Sequence, residues 1–85
     1  MRVISQDGTM DFPYKNSIVF IDTRAKDAAF VRMQTIGDNE ASIMAQYSAE
    51  EKAKKAMEML RSDYKRCIRC HYLMTFQFPE EEELE

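Results

Sequence analysis

Both cysteines and the single histidine of this chain stand together, as Cys67-Ile68-Arg69-Cys70-His71. Spaced C-x-x-C-H, they match the pattern in which two thiols add to haem vinyl groups while the histidine ligates iron. They also supply three of the four ligands that a structural zinc needs, a count that a site shared across a dimer would complete. A redox dithiol is a third use of the same spacing. Against these stands the surrounding periodicity. Ala53, Ala56, Met57, Leu60, Tyr64, Cys67, Ile68 and His71 recur at steps of three and four, which is the apolar face of a helix. That stripe takes Cys67 into the core and puts Cys70 at its border. No metal and no cofactor is therefore expected.

Catalytic constellations are missing. A nucleophile would have to rely on His71 alone, with no acid placed to orient the ring. Gly8 and Gly37 are the only glycines, so no glycine-rich phosphate loop can form. Glu50 and Glu51 serve a helix start better than they serve acid–base chemistry. The chain reads as a binding protein and not as an enzyme.

The basic residues offer more. Arg61, Lys65 and Arg69 recur at i, i+4 and i+8, with Arg66 beside them. Arg24 and Arg32 add charge in the first half of the chain. Arginine with aromatic neighbours is the equipment for gripping a nucleotide, by pairing with phosphate and stacking on a base. Arg24, Phe30, Arg32, Arg61, Lys65, Arg69 and Tyr14 are the candidate ligand-binding residues, with Phe30 or Tyr14 as the stacking platform. The competing use of the helical stripe is a solvated face whose cations complement the helix dipole.

These side chains must be positioned by α+β elements. Met1 to Ser5 and Met10 to Tyr14 read as short strands about the Asp7-Gly8 turn, and Pro13 limits the second to an edge or an irregular strand. Ser17 to Asp22 holds four consecutive apolar residues, the pattern of a strand buried on both faces. Ala28 to Ile36 alternates, with Val31, Met33 and Thr35 on one face. Ala41 to Tyr47 alternates again, with Ile43, Ala45 and Tyr47 towards the core. Ser48-Ala49-Glu50-Glu51 is a capping box in which Ser48 and Glu51 satisfy each other's amides. It opens a helix running to about Tyr72, roughly 36 Å long at 1.5 Å per residue. Thr75 to Phe78 is a last strand. The predicted fold is an antiparallel sheet of about four to six strands packed against one long amphipathic C-terminal helix, followed by a short final strand. The helix overhangs a six-residue strand of about 20 Å, which predicts a homodimer or higher homo-oligomer through its apolar stripe.

Length and charge set the remaining bounds. Eighty-five residues make one thin-cored domain, taken as residues 1–79, followed by an acidic tail at 80–85. The net charge is −3, and the tail's five glutamates account for −5 of it, which leaves the body at +2. A body so weakly basic, beside an acidic tail, argues against duplex nucleic acid. No apolar run reaches the length of a membrane span, and no signal peptide is recognisable, so the cytoplasm is the expected compartment.

Several blocks resemble a family of small proteins encoded by phages and prophages of Firmicutes. They are Met1 to Thr9 with Asp11-Phe12-Pro13-Tyr14, Tyr47-Ser48 through Ala53, Ala56 to Arg61, and Phe76-Gln77-Phe78-Pro79 followed by acids. Together they cover about half the chain, in order. That family is similar to the anti-Thoeris sponges, phage proteins with an N-terminal antiparallel sheet followed by helices. The resemblance implies a counter-defence protein that sequesters a small cyclic nucleotide signal of the cyclic ADP-ribose type, as an oligomer and without cleaving it. Longer relatives insert a second long helix before the Phe-Gln-Phe-Pro strand. Here Arg69 precedes Phe76 by only seven residues, so that helix is absent and no pocket residue carries over by motif. The alternative is a protein-binding inhibitor of a host defence system, comparable to an anti-CRISPR, that acts through its acidic or exposed face.

Overall fold

Three-residue strands cannot hold a sheet by themselves, and the N-terminal block compensates with a dense turn. A computed structural model describes residues 1–70 and 74–84, the side chain of Cys70 excepted. Strand β1 (Arg2–Ile4) pairs antiparallel with β2 (Asp11–Pro13). In the connecting turn the Ser5 hydroxyl accepts from the amides of Thr9 (3.1 Å) and Met10 (3.0 Å) and donates to Asp7 (2.7 Å). The hydroxyl and amide of Thr9 donate to the same Asp7 oxygen at 2.7 and 3.0 Å. Gly8, at φ +77°, makes the reversal. The Ser5 hydroxyl bond, followed by those from Thr9, holds the Asp7 carboxyl at about 2.

Pro13 lies opposite Arg2, a non-hydrogen-bonded position of the ladder, so its missing N–H faces the open edge. Asn16, with φ 70°, then turns the chain out of this sheet. Strand β3 (Ser17–Asp22) begins a second sheet with β4 (Ala29–Thr35) and β5 (Ser42–Tyr47), in the order β3–β4–β5 and antiparallel throughout. The last strand, β6 (Thr75–Gln77), returns to pair parallel with β1. The expected single antiparallel sheet is therefore corrected to two three-stranded sheets, one of them mixed. Gln6 ties them together. Its amide donates to Met44 O (2.7 Å), its side-chain oxygen accepts from Gln46 N (3.1 Å), and its Nε2 donates to Pro79 O (3.0 Å).

Helix α1 (Glu50–Cys70) covers one face of the second sheet. Val31, Met33, Met44, Ala45 and Tyr47 meet Ala53, Ala56 and Leu60 in the core, which Val3, Phe76 and Phe78 extend from the first sheet. Phe76 and Phe78 pack edge to face, with ring centroids 5.2 Å apart. Two predicted faces are corrected. Strand β3 is covered on one side only, since it is an edge strand and the helix lies over its Val19 and Ile21 side; Ile18 is 57% exposed and Phe20 36%. In β5 a bulge sets Val31 opposite Ala45 and Arg32 opposite Ile43, which brings Met44 into the core and leaves Ile43 outside.

The capping box is also different from its prediction. The Ser48 amide donates to the Glu81 carboxylate and not to Glu51. The ordered chain does not end at Pro79: Glu81–Leu84 forms a 3₁₀ helix with Leu84 buried, and Lys55 Nζ donates to Leu84 O at 3.1 Å. An apolar residue after four acids and a carboxylate at the positive end of α1 supply the reason. His71 and Tyr72, expected in the helix, lie outside the described residues.

Candidate functional site

The predicted ligand-binding residues fall into two groups on opposite sides of the second sheet. Arg24, Phe30 and Arg32 occupy its outer face, away from α1. Asp22, buried at the end of β3, gathers both arginines. Arg24 donates to it through its backbone amide (3.0 Å), Nε (3.0 Å) and Nη2 (2.7 Å). Arg32 Nε donates to Asp22 at 2.9 Å and its Nη1 to Ala41 O at 3.2 Å. These bonds, led by the Arg24 side chain, hold the Asp22 carboxyl far below the usual carboxylate range and push Arg24 upward. One edge of the Arg24 guanidinium and the Nε of Arg32 are thus engaged by a single carboxylate within the chain. Phe30 sits across the ladder from Asp22, half-buried in the same face.

The second group lies on α1. Arg61, Lys65 and Arg69 are exposed on its second half and make no ion pair among the described residues. Arg66 differs, since it pairs with Asp63. Tyr14, just past β2, reaches the helix and stacks on Tyr64, with ring centroids 4.3 Å apart and planes tilted by 36°. Tyr64 is three residues from Arg61, so the aromatic pair and Arg61 are neighbours on the helix surface, and Lys65 follows Arg61 one turn on. A hollow of about 310 Å³ that shares Arg61 with this group is lined by Ile21, Lys54, Met57, Glu58 and Arg61. It offers an apolar floor of Ile21 and Met57 with Arg61 and Glu58 at its rim, while Lys54 pairs with Glu50, so Arg61 is the cation open to an anionic ligand there.

Other hollows carry the opposite charge. One of about 350 Å³ lies between α1 and β6, with Asp63, Glu80 and Glu83 in its wall. Another, of about 310 Å³, is lined by Asp27, Glu80 and Glu81. Both repel phosphate. No group of three or more potential metal ligands forms among the described residues. Cys67 is half-buried on α1, while the Cys70 side chain and His71 lie outside the described residues.

Three residues escaped the sequence reading. Asp22 was passed over as a strand end, although Asp-Thr-Arg with another arginine across the ladder was available as a signal. Gln6 stands beside the Asp7-Gly8 turn with no local sign of its long-range bonds. Tyr64 falls in the apolar stripe of the helix, and nothing local points to its stack with Tyr14. No protein-family model, curated protein or solved structure matches this chain. No helix among the described residues is long and apolar enough to cross a membrane.

Proposed function

We propose that this protein binds a nucleotide-class anion without turning it over, in the groove between β3 and the stretch of α1 from Lys54 to Arg61. The observation that carries this reading is the separation of the two cationic groups. Arg24 and Arg32 are both tied to the one carboxylate of Asp22, whereas Arg61, three residues from Tyr64 of the Tyr14–Tyr64 stack, makes no ion pair among the described residues. Charge left without a partner next to an aromatic platform suits phosphate and base. A cyclic nucleotide immune signal is the ligand that the phage-family resemblance adds, with sequestration in a host cell's cytoplasm as its purpose.

The test is a thermal-shift panel of linear and cyclic nucleotides, cyclic ADP-ribose isomers included. A ligand at 100 times its Kd adds about 2.7 kcal/mol to the native state. For a domain of this size that raises Tm by more than about 10 °C. The shift is expected from one species, recovered intact afterwards, and is expected to vanish in Arg61→Glu/Lys65→Glu with the unliganded Tm kept. A flat panel sinks the reading.

The acidic hollows support a second reading, an inhibitor that docks a basic protein surface. Deleting residues 80–85 cannot separate the two, because it also removes Leu84 from the core and Glu81 from the helix start. Charge removal at the exposed Glu80 and Glu82, as Glu80→Gln/Glu82→Gln, separates them. Nucleotide binding would survive that change and capture of a basic partner would weaken.

A further inference from the structure

Strand edges in this fold are guarded, with one exception. The outer edge of β2 carries Pro13 and Asp11, the free side of β5 is met by Gln6, and β6 is only three residues long. The edge of β3 has six residues, Ser17-Ile18-Val19-Phe20-Ile21-Asp22, without lysine, proline or bulge, and pairs with β4 alone. Unpaired edges of this composition take up another strand.

The open groups of this edge can be assigned. Ile36 N donates to Asn16 O at 2.8 Å, which makes Asn16–Ile36 a hydrogen-bonded pair in the β3–β4 register. Antiparallel ladders alternate, so Ile18, Phe20 and Asp22 turn their N–H and C=O groups towards β4. Ser17, Val19 and Ile21 turn theirs outward.

We infer that β3 pairs with the β3 of a second copy, antiparallel about a two-fold axis through Val19. In that register Val19 exchanges both backbone bonds with its symmetry mate, and Ser17 does so with the second copy's Ile21. Every outward group of the strand is used. Ile18 then lies directly across from the second copy's Phe20, in a non-hydrogen-bonded pair with Cα atoms about 4.5 Å apart. The two side chains left exposed on the outer face thereby cover each other. The second copy therefore joins at the sheet edge, and not through the overhanging helix stripe that the sequence suggested. This inference stands on the strand edge and does not require the nucleotide reading.

Size-exclusion chromatography with light scattering, without nucleotide, tests it. The wild-type chain is expected at twice its 10.0 kDa mass. Ile18→Glu/Phe20→Glu and Ile18→Lys/Phe20→Lys each set like charges across the axis on solvent-facing positions. Both are expected as folded monomers by circular dichroism, and an equal mixture is expected to recover the dimer mass. A monomeric wild type, or double variants that remain dimeric, would overturn the pairing; a mixture that stays monomeric would overturn the register. Amide exchange gives an answer independent of mutation. Val19 and Ile21 are expected to lose protection on dilution while Phe20 keeps its own, and exchange at Val19 and Ile21 that ignores concentration refutes the dimer.

Discussion

The two halves of helix α1 are made of similar residues and do different work. The first half buries Ala53, Ala56 and Leu60 against the second sheet, and the 3₁₀ helix clamps its start through Glu81, Lys55 and Leu84. In the second half no residue from Arg61 to Arg69 is fully buried, Ile68 is 58% exposed, and Tyr14 is the neighbour that stacks on it. A helix needs one well-packed stretch to be held in place. Once that is supplied, the remaining turns are free to present charge, and here they present Arg61, Lys65 and Arg69, which make no ion pair among the described residues.

Mutations can break or sharpen that contrast. Leu60→Ala should cost about 2–5 kcal/mol of unfolding free energy, measured by denaturant titration, because it empties a site enclosed by both sheet and helix. Tyr64→Leu keeps apolar bulk but removes the stack on Tyr14, and should cost about 0.5–1.5 kcal/mol by the same measurement. A smaller, pH-dependent effect is expected from Glu81. The Ser48 amide bond, then the Ser48 side chain and the Lys52 charge, holds its carboxyl below the usual value of 4.5. The folded state therefore favours the carboxylate. Its contribution is complete above the unfolded value and is lost as pH falls below it. Glu81→Gln should lower Tm at neutral pH and flatten its fall below about pH 4.5, in scans across pH. Ile68→Ala should change stability by less than about 0.5 kcal/mol. If it matches Leu60→Ala instead, something covers the second half in solution and the contrast is lost.

Local features were legible in the residues. The alternation of Val31, Met33 and Thr35 gave the core face of β4, Asp7-Gly8 gave its turn, and the three–four spacing gave α1. Pro13 marked an edge. What could not be read depends on residues far apart. Nothing near Val3 announces its pairing with Phe76, so the division into two sheets left no local trace. The bulge at Met44 shifts a face by one residue without altering composition. Five glutamates hid Leu84, a single apolar residue whose burial turns a supposed tail into a clamp. The candidate site divides in the same way: the cations were visible, but whether each was already spent depended on where Asp22 and Tyr14 came to rest.

The placement of β6 beside β1 also sets a timetable. Gln6 waits for Pro79, 73 residues further on, and Ser5 O for the side chain of Gln77, 72 residues on. At about 5–20 residues per second of synthesis, that interval is roughly 4–15 s. Throughout it the ribosome has delivered β1 and β2 but not the strand that covers their other side. Residues 1–6 are thus among the last of this domain to be sealed, and a nascent chain carries Val3 exposed until nearly all of the domain has emerged.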